Sequence, residues 1–382
     1  MKFAHLSDLH LGIRMNGLSL VEDQVYILDE IIGILKEEEV DAMLIAGDIY
    51  DSSQPSAETV SLYSDFLEKL SALNRPVLIT PGNHDSAARL SFARGVLKRQ
   101  NIFIAPGFTG QLHQVTLTDA YGPVVFTMLP FLTLFQVRPY AEGRLENWTQ
   151  AVKTVLDLKP LDTSVRNVCL THQFITYQNM YDGQHLPVEQ GGLNNVDVSA
   201  YDGFDYVAAG HVHRAETVGP KESVRYSGSP LVYTKGNMAN AASVPIVTLA
   251  APGSEPEIKL RSLTPLHPVR AVKTDFRTFA SEGEKTGGSK DYLYVSLTDE
   301  TPVTDGMNRL RQYYPNIVSL SYPQLQTAPL TADTGRRLEG KTPQDLTEEF
   351  FARFSPDGEL REDRKAYLEQ IFRDLQGEED AG

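Results

Sequence analysis

The chain has 382 residues, 41% of them hydrophobic and 22% charged, with a formal charge of −15. That length gives room for two or three domains with cores of their own, and the negative balance excludes a general attraction to nucleic acid, so any DNA contact must rest on local patches or on metal ions. A single cysteine, Cys169, excludes an intrachain disulfide and a cysteine zinc cluster, and no run nears the roughly 18 apolar residues of a membrane span.

The opening "MKFAHLSDLH" lacks the apolar core of a secretion signal, so a cytoplasmic protein with no membrane attachment is expected. "KFAHLSD" reads as a buried strand, and "SLVEDQVYILDEIIGILKEEEV" has its apolar positions at helical spacing. "DAMLIAGD" is a second strand, "SAETVSLYSDFLEKLSAL" a second helix, "PVLITPGN" a third strand and "SAARLSFARGVL" a third helix. "VVFTMLP", "NVCLTHQ" and "DYVAAGH" follow as further strands, with Cys169 a small buried hydrophobe on one of them. This alternation argues for an α/β domain whose helices cover its sheet.

After "SLTPLHPVR" the pattern changes. "VRAVKTDF" leads into the polar "ASEGEKTGGSKD", whose composition predicts a mobile loop, and "YLYVSLT", "VTDGMNRLRQYY" and "NIVSLSY" read as β, α, β. Residues 269–323 are thus expected to form a small α/β capping subdomain beside a main domain of residues 1–268. Residues 324–342 have a linker composition, and 343–382 predict two C-terminal helices, with Thr342 as cap and Pro343 at the first helical position. The second helix gathers Tyr367, Leu368, Ile371, Phe372 and Leu375 on one face, which either folds back on the chain or takes a partner.

Most of the apolar runs of the main domain end in Asp, His or Asn. Ligand sites of α/β proteins assemble at strand C-termini, so Asp8, His10, Asp48, Asn83, His84, His172, His211 and His213 are expected along one rim. Their imidazole nitrogens and carboxylate and amide oxygens suit manganese, iron or zinc. They exceed the needs of one ion and fit two, about 3.5 to 4 Å apart, sharing a carboxylate. Taken singly, D-x-H and G-D are common chance pairs, and a lone histidine after a strand is more often a core residue. "GNHD" is more specific, because Gly82 permits a tight turn, and "GHVH" places His211 and His213 on one strand face.

Taken together, D-x-H, G-D, G-N-H-D, H and G-H-x-H in that order resemble the calcineurin-like metallophosphoesterase superfamily over roughly residues 1–250. "HLSDLHLG", "GDIYDSSQPS", "PGNHDS", "GHVH" and "RYSGSP" are similar, more narrowly, to the meiotic-recombination nuclease family. The resemblance implies a β-sandwich flanked by helices and two divalent metal ions, Mn²⁺ being expected. Asp8, His10 and His213 would hold one ion, Asn83, His172 and His211 the other, and Asp48 would bridge them. It implies a two-metal hydrolysis in which water attacks phosphorus in line, with His84 as the catalytic residue that steadies the phosphate or protonates the leaving oxygen. Asp85 would orient His84 or cap the next helix. Asp51 stands where some relatives carry a histidine, so it assists catalysis, orients a neighbour or begins a turn.

The same resemblance implies a double-strand DNA exonuclease and single-strand or hairpin endonuclease that processes DNA ends. It also implies a homodimer through the helices after the motifs at 48 and 83, and a coiled-coil ATPase partner gripped from about residue 343. The motifs alone also permit a phosphatase or small phosphodiesterase, against which the appended subdomain and tail count. An inactive docking scaffold would have lost ligands, and none of the seven is missing. Candidate DNA contacts are Arg14, Asn16, Arg89, Arg94, Lys98, Arg99 and Lys290, each of which reads more readily as an ordinary surface charge; as phosphate contacts they would give salt-dependent affinity without sequence specificity.

Overall fold

The computed structural model describes residues 1–177, 194–220, 222–325 and Thr347; the expected helices of 343–382, Thr347 aside, and nearly all of the expected linker lie outside the described residues. Two six-stranded mixed sheets dominate. The first runs in the order Glu257–Ser262, Ser243–Thr248, Lys2–Leu6, Ala42–Ala46, Val77–Thr80 and Ile102–Ile104. From Lys2–Leu6 onward its neighbours are parallel, as strands joined through crossover helices must be. The second runs Glu216–Thr217, Val224–Tyr226, Tyr206–Ala209, Arg166–Thr171, Gly122–Leu129 and His113–Asp119.

Side-chain alternation then explains three buried layers. Phe3, Leu44, Leu78, Phe126, Val168, Leu170 and Tyr206 meet between the sheets, where Phe3 lies edge-on to Phe126 at 5.8 Å and to Tyr206 at 5.6 Å. Their sequence neighbours point the other way. Ala4, Met43, Ile45 and Ile79 pack under the helices Val21–Glu37 and Ala57–Ser71, and Cys169, Val207 and Ala209 pack under the helix Trp148–Leu156. Strands buried on both faces read as continuous apolar runs, which is why their sequences stand out. Cys169 is fully buried, as expected. Arg166 is buried as well, and its guanidinium is consumed by Asp119 and the carbonyls of Leu249, Ala250 and Gly122.

A third, three-stranded parallel sheet comprises Val269–Thr274, Tyr292–Leu297 and Ile317–Ser321. The stretch read as a mobile loop is instead largely helical, over Phe276–Thr286. Asp275 caps it through the Thr278 N–H, Phe276 and Phe279 are buried, and Phe279 stacks on Tyr314 at 4.1 Å. Two buried aromatic anchors and a cap outweigh the poor helix propensity of a Gly- and Ser-containing run. The predicted helix "SAARLSFARGVL" is also corrected: it breaks into Ala87–Leu90 and Arg94–Leu97 because Ala93 takes φ 55°.

Residues Met1–Leu297 and Val303–Ser321 form one compact unit, to which Thr298–Pro302 does not belong. Within the first unit, buried Asp23 receives the Tyr292 hydroxyl at 2.9 Å and the His267 N–H at 3.0 Å, which pins the three-stranded sheet to the helix Val21–Glu37. Among the described residues no helix is long and apolar enough to cross a membrane.

Candidate metal centre

Five strand ends, three from one sheet and two from the other, deliver the polar residues to one edge of the sandwich. Asp8 and His10 follow Lys2–Leu6, Asp48 follows Ala42–Ala46, and Asn83 and His84 follow Val77–Thr80. His172 follows Arg166–Thr171, and His211 and His213 follow Tyr206–Ala209. The backbone is bent hard to present them: φ is 54° at Asp8, 42° at His10, 51° at Asp48 and 103° at His211. Each such non-glycine conformation costs on the order of 1–3 kcal/mol and persists only where the surroundings enforce it.

The glycines of the motifs are demanded by close approach. A Cβ on Gly82 would sit 2.1 Å from Asp48 Oδ1, and one on Gly210 would sit 2.0 Å from the Ala46 carbonyl oxygen and 2.7 Å from His172 Nδ1. Only bare backbone fits between these side chains.

All seven expected ligands converge. His10 Nε2 lies 3.0 Å from His213 Nε2, 3.6 Å from Asp48 Oδ2 and 3.9 Å from Asp8 Oδ1, and His213 Nε2 is 3.7 Å from Asp8 Oδ1. On the other side, His172 Nε2 lies 3.1 Å from Asp48 Oδ2, and His211 Nδ1 is 3.0 Å from Asn83 Oδ1. Asp48 therefore stands between the two groups. His172 donates from Nδ1 to the Ala46 carbonyl at 2.7 Å, which turns Nε2 toward Asp48. Phe131 and Phe174 wall the far side of His211, with ring centroids 6.4 and 6.2 Å away.

The electrostatics favour a cation here. Burial opposes protonation of His172, yet Asp48, with help from Asp8, pushes its pKa up to about 9. Burial likewise opposes ionisation of Asp48, but His172, His10 and His84 hold its carboxyl well below the usual range. His211 drops to about 4, through burial and the neighbouring His172 charge. Two buried carboxylates thus draw positive charge inward, while imidazole nitrogens 3.0 Å apart share one focus. Among the described residues Asp8, His10 and His213 form one set of converging ligand atoms, Asp8, Asp48 and His172 another, and His10, Asp48 and the exposed His84 a third. This nitrogen and oxygen donor set fits hard-to-borderline divalent ions.

His84 is exposed, with its backbone N–H donating to Asp48 Oδ1 at 2.9 Å and Nδ1 facing the Asp51 carbonyl oxygen at 2.8 Å. Asp85 does not meet His84. Its carboxylate accepts the backbone N–H groups of Gly82, Ile49 and Tyr50 at 2.9 to 3.1 Å, tying the two motif turns together. Nor does it cap the next helix, whose N-cap is Ser86. Asp51 places its carboxylate 3.3 Å from His10 Nδ1.

Several supporting residues escaped the sequence reading. Ser7 donates its hydroxyl to Asp8 Oδ2 and meets the Ser227 hydroxyl at 2.7 Å, and Tyr233 donates to the Leu9 carbonyl at 2.7 Å with its ring edge-on to His10. The signal available was "RYSGSP", which carries Ser227 but does not say what Ser227 touches.

Comparison with known proteins agrees with this geometry. Residues 1–215 match the model of the calcineurin-like phosphoesterase family, and residues 256–354 that of the Type 5 capsule protein repressor C-terminal domain. The SbcD subunit of the SbcCD nuclease of Staphylococcus epidermidis is 30% identical over 328 residues, covering 84% of this chain and 85% of that protein. Solved structures include TT1561 of Thermus thermophilus, at 14% identity and TM-score 0.39 over 68% of this chain and 98% of that one. A dimetal phosphatase from Danio rerio matches at 14% identity and TM-score 0.40, over 69% and 99%. The family matches and the metal-ready edge together place the chain in the calcineurin-like phosphoesterase family, among its SbcD-type nucleases.

Proposed function

We propose that the protein is a manganese-dependent DNA nuclease, an exonuclease on duplex ends and an endonuclease on single strands and hairpins, working by a two-metal mechanism. The observation that carries the reading is the convergence of seven donor side chains from five strand ends, six of them around Asp48. Asp8, His10 and His213 would hold one ion, Asn83, His172 and His211 the other, and Asp48 both. Bound ions of this kind supply Lewis-acid stabilisation of charge on the phosphoryl oxygens and a more acidic water.

The chain's own groups do the rest. Asp51 accepts Nδ1–H of His84 through its carbonyl oxygen, so Nε2 is the nitrogen presented outward. A protonated His84 then donates from Nε2 to the leaving oxygen of the scissile phosphodiester. The backbone N–H groups of His84 and His211, donating to Asp48 and Asp8, fix the carboxylates that flank the reacting group. No serine or cysteine nucleophile is needed.

The likeness to an SbcD-type nuclease supports a partner ATPase of the SbcC type held by residues 343–382, a homodimer, and a place in DNA repair, recombination and replication in the cytoplasm near the nucleoid. The domain division 1–268, 269–323, 324–342 and 343–382 belongs to the same proposal. Labelled linear duplex and hairpin DNA, incubated with Mn²⁺, Mg²⁺ or EDTA, test it. Cleavage of both with Mn²⁺ and none in EDTA is expected. Intact DNA with Mn²⁺, together with hydrolysis of a small phosphomonoester, would make the protein a phosphatase instead.

A further inference from the structure

A cavity of about 220 Å³ opens between the short helix Arg94–Leu97 and the strands Ile102–Ile104 and His113–Asp119, with Arg94, Lys98, His113 and Gln114 around an apolar floor of Phe103 and Met128. Among the described residues no acidic one lines it. Between Asp85 and Asp119 the sequence has no Asp or Glu at all, yet carries Arg89, Arg94, Lys98 and Arg99, in a chain whose net charge is −15. A local excess of that kind is an electrostatic footprint for a polyanion.

Arg99 and Lys290 are exposed but do not line this cavity, and the other candidate contacts are engaged elsewhere. Arg14 is spent on the Gly17 carbonyl, Asn16 on the Val318 carbonyl, and Arg89 on the Ser53 carbonyl. Arg94 and Lys98 are exposed and make no ion pair among the described residues. They are four residues apart and line the cavity together, whereas the exposed apolar Phe92 and Val96 do not line it.

The cavity also connects to the site. His113 pairs with Met128, and two residues beyond that strand the Phe131 N–H donates to the Pro81 carbonyl at 3.0 Å, immediately before Gly82, Asn83 and His84. Gly107 packs on Ala87, two residues after Asp85. Two exposed cations and the His113 imidazole in one cleft suit successive phosphates of a strand, since phosphate contacts set position and orientation without reading sequence.

We infer that the Arg94, Lys98 and His113 cleft is a subsite for the sugar-phosphate backbone of DNA, guiding a strand toward His84. This rests on the nuclease reading above. The test uses the full chain in EDTA, with a labelled duplex titrated between low and moderate salt, so that binding is read without cleavage. The double variant Arg94→Ala, Lys98→Ala should bind at least tenfold more weakly at low salt. The slope of log affinity against log salt should be shallower by about 2, at about 0.9 per lost phosphate contact. Hydrolysis of bis(p-nitrophenyl) phosphate with Mn²⁺, a substrate with one phosphate and no flanking strand, should stay unchanged. The swap Arg94→Lys, Lys98→Arg should keep the slope. An unchanged slope in the alanine variant, or an equal loss in the swap, overturns the subsite while leaving the nuclease reading standing. A wild-type chain that neither binds nor cuts DNA overturns the nuclease reading itself, and the subsite with it.

Discussion

Asp51 Oδ1 lies 3.3 Å from Nδ1 of His10, and His10 turns its other nitrogen to within 3.0 Å of His213 Nε2. A carboxylate behind an imidazole fixes the ring and raises its basicity toward whatever the far nitrogen binds. Asp51→Ala should therefore weaken Mn²⁺ binding about 10- to 100-fold, read by calorimetric titration. Asp51→Asn, which keeps an acceptor oxygen, should recover much of it. Since His84 contacts only the Asp51 carbonyl, both variants should leave that ring in place. Wild-type metal affinity in Asp51→Ala would reduce Asp51 to a turn residue.

His84 is exposed and hydrogen-bonds Asp48 through its backbone N–H, while its ring lies edge-on to His10 at 4.8 Å; removing the ring leaves that backbone bond and all seven donor side chains in the chain. His84→Ala should hold Mn²⁺ within about twofold of wild type while DNA cleavage falls about 10²- to 10⁴-fold, the usual worth of a positioned general acid. Calorimetry and a single-turnover cleavage assay on one preparation separate the two effects. Undiminished cleavage would remove the role.

The rim was legible because each apolar run is short, buried on both faces and followed by its polar residue, all of it local information. What remained hidden depended on contacts far apart in sequence. Ser7 and Ser227 are 220 positions apart, and no pattern within either motif announces that they meet. Adjacency also misled: Asp85 follows His84 directly, but three converging backbone N–H groups claim its carboxylate, and Asp51, 33 residues earlier, reaches the ring instead. The strand Glu257–Ser262 was missed because it lies at a sheet edge and its side chains are mostly exposed, leaving no apolar run to see.

The motif glycines make a sharp test of packing. Gly210→Ala would drive a methyl into the Ala46 carbonyl and the His172 ring, neither of which is the loose end of a flexible side chain. The strand end must shift, taking His211 and His213 with it. We expect loss of measurable Mn²⁺ binding and a lower thermal midpoint in metal-free buffer. Retained metal binding would show that the turn relaxes without moving the histidines.

Arg166 tests the scaffold at the opposite ends of these strands. Its buried guanidinium serves Asp119 and three carbonyls, so truncation leaves several acceptors unpaired in the interior. Arg166→Ala should cost about 3–5 kcal/mol, the usual penalty for removing one partner of a buried ion pair. The shift of the urea midpoint measures it, and a change under about 1 kcal/mol would mean that water replaces the side chain.

His5 sets an acid limit on stability. Its ring is fully buried between the sheets beside Tyr206, with Nδ1 3.1 Å from the hydroxyl, and burial, aided by Arg225, lowers its pKa to about 3. The unfolded chain takes up this proton near the ordinary value of about 6.5, before the folded chain does. The stabilisation is therefore complete above about pH 6.5 and is lost as pH falls toward about 3. The slope approaches about 1.4 kcal/mol per pH unit for one proton. Between about pH 6.5 and 5 that amounts to about 2 kcal/mol. His5→Gln, which cannot titrate, should lose less stability than the wild type over that interval, whatever its stability at pH 7. Urea unfolding of both proteins in EDTA at pH 7, 6 and 5 gives the comparison, with all other titrating groups cancelling in the difference. Parallel losses in the two proteins would mean that water or movement of Tyr206 accommodates the charged ring.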